Sequence, residues 1–385
     1  MQSTSIFKQF ISSEKSGGML LIFCTLLSLV LANSNFSSEY LHFWHVPIAN
    51  QPLEYWINDG LMTIFFLLIG LELEREVYNG ELSNIKNALL PISGALGGMI
   101  VPALLYLSVN WGTTSQSGAG IPMATDIAFA LGILSLLGNK VPTSLKIFLT
   151  ALAVIDDLGA ILVIAFFYTE NVFWGNLGIA MALFAFMLLL NRLKVHNMIP
   201  YLLLGVAMWY FMLHSGVHAT ITGVLLAFAM PFSAGDATSP SIQLQKFLHY
   251  PVAFVILPIF ALANTAIEFQ SDLLNSLKST YATGIAFGLL VGKPIGIMLF
   301  SYLSVRLKIG VLPEGSNWKT ILGAGFLGGI GFTMSIFISL LAFSDQKVIN
   351  NSKIMILIAS LIAGIIGFSY LKRVLKHNLD EESNA

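Results

Sequence analysis

The stretch "ALAVIDDLGAILVIAFF" (residues 151–167) places two adjacent aspartates, Asp156 and Asp157, in the middle of an apolar run. Its length and composition are typical of a helix that crosses a membrane. Each central Asp costs about 2.5–3.5 kcal/mol on the insertion scale, whereas each Leu, Ile, Val or Phe favours insertion by about 0.3–0.6 kcal/mol. The two aspartates therefore cost about as much as the thirteen such apolar residues from 147 to 167 contribute. Acidic residues in this setting usually mark an ion or proton pathway.

The composition of the whole chain also predicts a membrane protein. Of its 385 residues, 56% are hydrophobic and 10% are charged, whereas soluble domains carry about 25% charged residues. The formal net charge of −1 indicates neither a nucleic acid nor an acidic partner. A single cysteine, Cys24, excludes an intrachain disulfide framework. The apolar start of the chain is interpreted as an uncleaved first helix, because residues 30–34 offer no clean small-x-small cleavage site.

Apolar stretches of about 20 residues predict twelve membrane spans and an all-α polytopic fold. We expect residues 1–385 to form one transporter domain in the lipid bilayer, with a cytoplasmic tail at 376–385. The seventh and eighth spans are the least distinct. The spans are centred near residues 17–34, 56–76, 89–109, 119–137, 143–168, 175–191, 199–213, 216–232, 250–267, 283–304, 320–343 and 353–371.

The basic residues of the loops predict the orientation of these spans. With both termini in the cytoplasm, fifteen Lys and Arg residues fall in inside segments and three fall outside, namely Lys278, Lys347 and Lys353. Such an excess is the bias expected of cytoplasmic loops. We therefore expect both termini to be cytoplasmic.

Two spans are interrupted. The fourth contains "IPMATDIAFALG" (121–132), with a proline and a Thr-Asp pair, and the eleventh contains "GAGFLGGIGFTMSIF" (323–337), with five glycines in nine residues. Glycine and proline weaken a continuous helix, although membrane helices also use small residues for close packing. Spans 3–5 and 10–12 have opposite predicted orientations, and an interrupted helix lies in the middle of each triplet. This pattern predicts inverted repeats with a binding site near the membrane midplane.

The ionisable residues that the sequence places well inside spans are Asp126, Asp156, Asp157 and Lys293. Adjacent helical residues point about 100° apart, so Asp156 and Asp157 cannot both face one ligand squarely. One is expected to line a cavity, while the other reaches a partner such as Lys293. Asp126 adds a carboxylate at a helix break, beside the Thr125 hydroxyl. These oxygen ligands suit a hard cation such as Na⁺ or Li⁺, and a carboxylate that holds either a proton or a cation makes an exchanger.

The broken helices also bring partial charges, about +0.5 at N-termini and −0.5 at C-termini. Asp126 can neutralise two facing N-termini. Lys293 can neutralise the facing C-termini or pair with Asp156, and the sequence does not choose between these alternatives.

Three further features of the sequence are weaker indications of function. Glu72, in "GLELEREVYNGEL" (70–82), lies at the membrane edge, and the acids of this segment are expected to form a solvated cytoplasmic face. His218 begins span eight, where a histidine can respond to pH or simply bond another helix. The polar segment 42–56 is expected outside, where it can form a hairpin. No nucleotide or cofactor motif is apparent, so transport is expected to depend on an ion gradient.

Two other functions need features that the sequence does not provide. A cation-coupled symporter of the same fold for an organic anion needs a more basic cavity than Lys293 alone provides. An intramembrane aspartyl protease needs two carboxylates that share a proton, and the Gly-x-Gly-Asp signature of such enzymes is absent from the sequence.

The sequence resembles the NhaA-type Na⁺/H⁺ antiporters of bacterial inner membranes from about residue 15 to residue 375. The motifs that carry the resemblance are "FFLLIGLELERE", "GGMIVPALLY", "IPMATDIAFALGILSLLG", "LKIFLTALAVIDDLGAI", "SGVHATITGV", "LPIFALANTAI", "GKPIGI", "LPEG" and "GIGFTMSIFI".

The resemblance implies roles for the candidate residues. Asp157 is the expected main ligand of Na⁺, Li⁺ and protons, with Asp156 beside it and paired to Lys293. Asp126 and Thr125 are expected where the interrupted helices cross. The remaining expectations are a pH response through Glu72 and His218, a homodimer held by the 42–56 hairpin, and electrogenic exchange of two protons for one Na⁺ or Li⁺.

The sequence departs from the family pattern in the loop at residues 233–249. Gln243 and Gln245 stand where a basic and an acidic residue of the family's pH-sensing cluster are expected, which leaves Lys246 and His249. This departure affects the expected pH response rather than the ion site.

Overall fold

A computed structural model describes residues 2–169, 172–233, 238–269 and 273–382. Residues 383–385 of the predicted tail and 234–237 of the loop at 233–249 lie outside the described residues. The described chain is helical apart from one hairpin, in which β1 (Pro47–Ile48) pairs antiparallel with β2 (Gln51–Pro52). Ala49 and Asn50 at its turn have positive φ values of 47° and 69°.

The α-helices of the described residues are α1 (Gln2–Ala32), α2 (Ser37–Trp44), α3 (Leu53–Trp56), α4 (Met62–Asn79), α5 (Ile85–Asn110), α6 (Ile127–Ser135), α7 (Thr143–Phe167), α8 (Trp174–Arg192), α9 (Met198–Leu213), α10 (Ile221–Ala229), α11 (Pro240–Pro251), α12 (Leu257–Asn264), α13 (Leu273–Ser276), α14 (Thr280–Phe287), α15 (Lys293–Arg306), α16 (Trp318–Gly328), α17 (Phe332–Ala342) and α18 (Gln346–Glu382). Short 3₁₀ helices cover Glu81–Ser83, Gln116–Met123 and Gly138–Lys140, and π-helical turns cover Ile57–Leu61, Val252–Ile256 and Gly288–Gly292.

Eight helical segments of the described chain are long and apolar enough to cross a membrane, and the bent pair α16–α17 makes a ninth. Two shorter apolar helices, Ser16–Ala32 and Met198–Leu213, coincide with the predicted first and seventh spans. In the predicted eighth span, 216–232, α10 covers only nine residues. The count of twelve crossings stays a prediction, because the apolar part of α1, α9 and α10 are each shorter than the roughly 20 residues that a crossing needs.

The chain forms two compact units. Unit 1 consists of Met1–Met19, Asn84–Ala160 and Phe269–Ala385, and unit 2 consists of Leu20–Ser83 and Ile161–Glu268. Lys353, which the sequence places in an outside loop, lies within α18 of unit 1 and is only 2% exposed.

In unit 1, α5 and α15 approach each other through glycines. A Cβ on Gly97 would overlap the carbonyl oxygen of Gly296, and a Cβ on Gly296 would overlap the carbonyl oxygen of Gly97. Gly98, the next residue on α5, lies against the side chains of Ile297 and Lys293. This close contact between two backbones fixes the start of α15, the helix that carries Lys293.

In unit 2, α4 and α10 pack in the same way. Gly223 of α10 lies against the backbone of Thr63 and Phe66, and Gly70 of α4 lies against Val224 and Ala227. The two helices therefore run in the same direction.

Candidate functional site

The candidate site is built around the breaks in two apolar segments of unit 1. In the first, the 3₁₀ helix Gln116–Met123 contains Pro122 and ends three residues before α6 begins. In the second, α16 ends at Gly328 and α17 begins at Phe332, with a bend of 48°. Gly329 lies in this break, where a Cβ would overlap the carbonyl oxygen of Leu289. The sequence therefore supplies glycine or proline at each break.

Asp126 bridges the N-termini of α6 and α17. Its Oδ1 accepts a hydrogen bond from Phe129 N in the first turn of α6, at 3.0 Å. Its Oδ2 accepts from Thr333 N at 3.1 Å and from Thr333 Oγ1 at 2.5 Å, in the first turn of α17. Its own backbone N–H donates to Ile330 O at 2.6 Å, which ties the two breaks together. One carboxyl group thus compensates two positive helix ends.

Asp126 bonds the N-termini at the breaks, whereas Lys293 lies at a C-terminal end, where backbone carbonyl groups are free of helical bonds. Its Nζ donates to the carbonyl oxygen of Met123, the last residue of the 3₁₀ helix, and to Asp156 Oδ2 at 2.5 Å. The Lys293 and Asp156 side chains are both 0% exposed. The sequence left a helix C-terminus and Asp156 as alternative partners of Lys293, and the structure has both contacts. One ammonium group can make both, because it carries three donors.

Thr125 connects this ion pair to the second break. Its Oγ1 lies 2.7 Å from Asp156 Oδ2 and 2.9 Å from the carbonyl oxygen of Gly328, the last residue of α16. A hydroxyl has one proton, so Thr125 donates to one of these acceptors at a time. Each break therefore has one C-terminal carbonyl group with a donor in the site: Met123 O accepts from Lys293, and Gly328 O lies within reach of the Thr125 hydroxyl.

Asp157 follows Asp156 on α7 and is 1% exposed. It interacts electrostatically with Lys293. Asp156 Oδ1 has no hydrogen-bond partner among the described residues. Unit 1 thus gathers three buried carboxyl groups, a hydroxyl and an ammonium group around the two helix breaks. Oxygen ligands of this kind suit a hard cation.

Glu72 and His218 belong to unit 2. The interpretation of the acids at 70–82 as a solvated face is wrong for Glu72 and Glu74, which are 6% and 5% exposed. They are buried because α11 supplies polar partners for both: Gln245 bonds Glu72, and Ser241 Oγ donates to Glu74 Oε2 at 2.7 Å.

His218 is half-buried, and its Nε2 donates to Tyr168 O at 2.9 Å. The bond connects the segment just after α7 to the segment just before α10, and a role of His218 in the pH response stays a prediction.

Three polar residues, Thr333, Glu74 and the half-buried Asp59, were not predicted from the sequence. Thr333 carried a detectable signal, since a hydroxyl residue directly after a glycine-rich break can donate to a capping carboxylate. Asp59 lies within the predicted second span and should have been counted with the other ionisable residues. Glu74 gave no signal, because its partner Ser241 is 167 residues away in the chain.

A helical membrane protein in which two interrupted helices meet at buried charged groups belongs to the class of ion-coupled transporters. The sequence profile of the family described as Na⁺/H⁺ antiporter 1 matches residues 8–371. The chain belongs to this family.

Curated relatives agree with this assignment. The chain is 68% identical to the Na⁺/H⁺ antiporter NhaA of Flavobacterium psychrophilum, over 100% of both chains. It is 59% identical to the protein of the same name from Cytophaga hutchinsonii, over 99% of both chains. Among solved structures, the sodium proton antiporter MjNhaP1 of Methanocaldococcus jannaschii at pH 8 is similar, with a TM-score of 0.54 and 14% identity over 97% of this chain and 99% of that one. At this identity the likeness concerns the fold alone.

Proposed function

We propose that the protein is a secondary active antiporter that exports Na⁺ or Li⁺ in exchange for protons and so serves sodium and pH homeostasis. The observation that carries this proposal is the buried group formed by Asp156, Asp157 and Lys293 beside two helix breaks. Family membership supports it. No comparison favours the alternative of an organic-anion symporter.

In the proposed mechanism, Na⁺ and protons compete for Asp157 and Asp156. Na⁺ bound mainly at Asp157 repels the Lys293 ammonium group, so Lys293 leaves Asp156 Oδ2 and Thr125 donates to Gly328 O instead. On the outside, one proton on each of the two carboxyl groups releases Na⁺, and loss of both protons on the inside restores the Lys293–Asp156 ion pair. A bundle movement then exposes the site to each side alternately. Two protons inward for each Na⁺ outward make the cycle electrogenic.

Asp126 keeps the two broken helices together during this cycle. Its carboxyl group bonds both α6 and α17, and it does not bond Lys293 or Asp156 in this structure. We therefore assign it a positioning role rather than the role of the main ligand.

The finer architecture is part of the same proposal. It has twelve spans, with inverted repeats of spans 3–5 and 10–12, in a bacterial inner membrane with both termini and the tail at 376–385 in the cytoplasm. The β1–β2 hairpin in segment 42–56 supports a homodimer, because its residues Pro47, Ile48 and Gln51 are exposed and can contact a second copy. Glu72 and His218 are proposed to modulate the pH response.

The experiment is Na⁺-driven proton release in inside-out vesicles that contain wild-type protein or Asp157→Asn. We expect the variant to be present in equal amount and to lose exchange. Glu39→Gln, which removes an exposed carboxylate on α2, is the matched control and should keep it. Near-normal exchange by Asp157→Asn would refute the assignment of Asp157.

A further inference from the structure

Ser360 of α18 is a buried hydroxyl residue that the proposed mechanism does not use. Its Oγ accepts a hydrogen bond at 3.1 Å from the backbone N–H of Phe332, the first residue of α17. The two residues are 7% and 3% exposed and lie 28 positions apart in the chain. The first amides of a helix have no partner within that helix. Ser360 therefore supplies, from another helix, the acceptor that this buried amide needs.

The bond falls in the middle of the short segment that grips Asp126. Asp126 N donates to Ile330 O, and Thr333 donates to Asp126 Oδ2 through both its backbone N–H and its hydroxyl. Phe332 lies between these two residues, and its ring centroid is 4.8 Å from that of Phe129 on α6. The start of α17 is thus held by the first helix break on one side and by α18 on the other.

Two glycines bring α18 close to the rest of the same break. A Cβ on Gly367 would lie 3.2 Å from the backbone N of Leu327, and a Cβ on Gly364 would lie 2.8 Å from Ile133 and 3.7 Å from Ile330. These glycines follow the serine by four and seven positions, so all three residues share one face of α18. This face contacts the break at several points, and the hydroxyl is its hydrogen-bonding group.

Ser360 and Asp126 do different work at the start of α17. The Asp126 carboxyl group compensates the positive end of the helix, whereas an uncharged hydroxyl fixes the position of one amide. Because neighbouring amides take the two acceptors, Phe332 N for the hydroxyl and Thr333 N for the carboxyl group, the two bonds do not compete.

The position of Phe332 also affects the groups beside the ion pair. Gly328 O lies 2.9 Å from Thr125 Oγ1, which lies 2.7 Å from Asp156 Oδ2. Only three residues separate Gly328 from Phe332. A displacement of Phe332 therefore moves Gly328 O relative to the Thr125 hydroxyl, and this hydroxyl is also a donor for the carboxyl group that pairs with Lys293.

We propose that Ser360 is a positioning residue of the ion site. Its hydroxyl holds the start of α17 where Thr333 reaches Asp126 and where Gly328 O stays within reach of Thr125. Ser360 acts through Phe332 and does not bind the ion. The inference rests on the proposed function, since the property that Ser360 sets is the apparent affinity for the transported Na⁺ or Li⁺.

The test compares Ser360→Ala, which removes the acceptor, with Ser360→Thr, which keeps a hydroxyl. The matched control is Ser352→Ala on the same helix, because Ser352 is 0% exposed and its hydroxyl has no hydrogen-bond partner within the described residues. Equal amounts of each purified protein are placed in proteoliposomes, and proton movement is measured over a range of Na⁺ concentrations to separate KM from the maximal rate. Hydrogen–deuterium exchange of the peptide that contains Phe332 is measured on the same proteins in micelles.

We expect the apparent KM for Na⁺ to rise about 2- to 30-fold in Ser360→Ala, the range in which residues outside a site change their coupling to it. Ser360→Thr and Ser352→Ala should keep the wild-type KM. The Phe332 amide should exchange about 5- to 150-fold faster in Ser360→Ala, because it loses its buried acceptor. Gly364→Ala, which presses on Ile133 and Ile330 without removing a hydrogen bond, should raise KM in the same direction.

A Ser360→Ala protein that is less stable or slower but has the wild-type KM would show a merely structural role and overturn the inference. An equal rise of KM in Ser352→Ala, or a Phe332 amide that exchanges at the wild-type rate in Ser360→Ala, would also overturn it. Failure of the proposed function is distinct, because Na⁺ would then move no protons in the wild-type protein itself. The amide exchange, which needs no transport, still decides whether Ser360 holds α17.

Discussion

The bond between the Thr333 hydroxyl and Asp126 is one of the hydrogen bonds that connect the two helix breaks. Thr333→Val removes the hydroxyl donor, which lies 2.5 Å from Asp126 Oδ2, and keeps the size of the side chain and the backbone bond at 3.1 Å. Both residues are 3% exposed, so water does not replace the donor. Loss of one partner of a buried hydrogen bond costs about 1–3 kcal/mol. We expect the free energy of unfolding to fall by this amount.

The assay is a reversible denaturant titration of the purified protein in micelles, performed on wild type, Thr333→Val and Thr333→Ser. Serine keeps the hydroxyl and loses one buried methyl group, so it should cost about 0.8 kcal/mol, less than the loss of the hydrogen bond. A double-mutant cycle with Asp126→Asn isolates the pair, for which we expect a coupling energy of about 0.5–3 kcal/mol. The reasoning is refuted if Thr333→Val is as stable as wild type, or if serine is as damaging as valine.

Two further predictions concern unit 1. Gly97→Ala places a Cβ against the backbone of Gly296 and should cost about 1–3 kcal/mol of unfolding free energy. In the control Gly132→Ala on α6, the new Cβ meets no atom within 4 Å and should not destabilise the protein. Equal effects of the two substitutions in denaturant titrations would contradict the packing argument. Lys293→Met leaves Asp156 without its buried cation and should cost about 3–5 kcal/mol. Adding Asp156→Leu should recover much of that loss, and a double variant less stable than Lys293→Met would exclude the ion pair as the cause.

The sequence was sufficient for features that depend on local composition. Glycine and proline in "IPMATD" and "GFLGGIGF" predict breaks, and the structure has a break in each segment. The expected capping of two N-termini by Asp126 follows from the same local pattern, because a carboxylate at a helix start compensates free amides. Lys293 was the only cation that the sequence placed inside a predicted span, so its possible partners were few, but the sequence did not choose between Asp156 and the facing helix C-termini; the structure has Lys293 bonded to Asp156 and to Met123 O.

Features that depend on distant packing were not predictable in this way. Glu72 and Glu74 appear as a solvated face in the sequence, because only the folded chain brings Ser241 and Gln245 of α11 to them. Lys353 follows a polar stretch and was interpreted as a loop residue, but α18 begins at Gln346 and buries it. The burial of these charged residues depends on the folded chain, and the residues next to them in the sequence do not indicate it.

The central claim is tested most directly by wild-type protein alone in proteoliposomes that contain a pH-sensitive dye and no organic solute. A proton gradient is imposed, Na⁺, Li⁺ or K⁺ is added, and a valinomycin-set membrane potential is varied. The account predicts that Na⁺ and Li⁺ each move protons, and that the membrane potential changes the rate because net charge crosses in every cycle. Proton movement that is unaffected by Na⁺ and Li⁺ would contradict it.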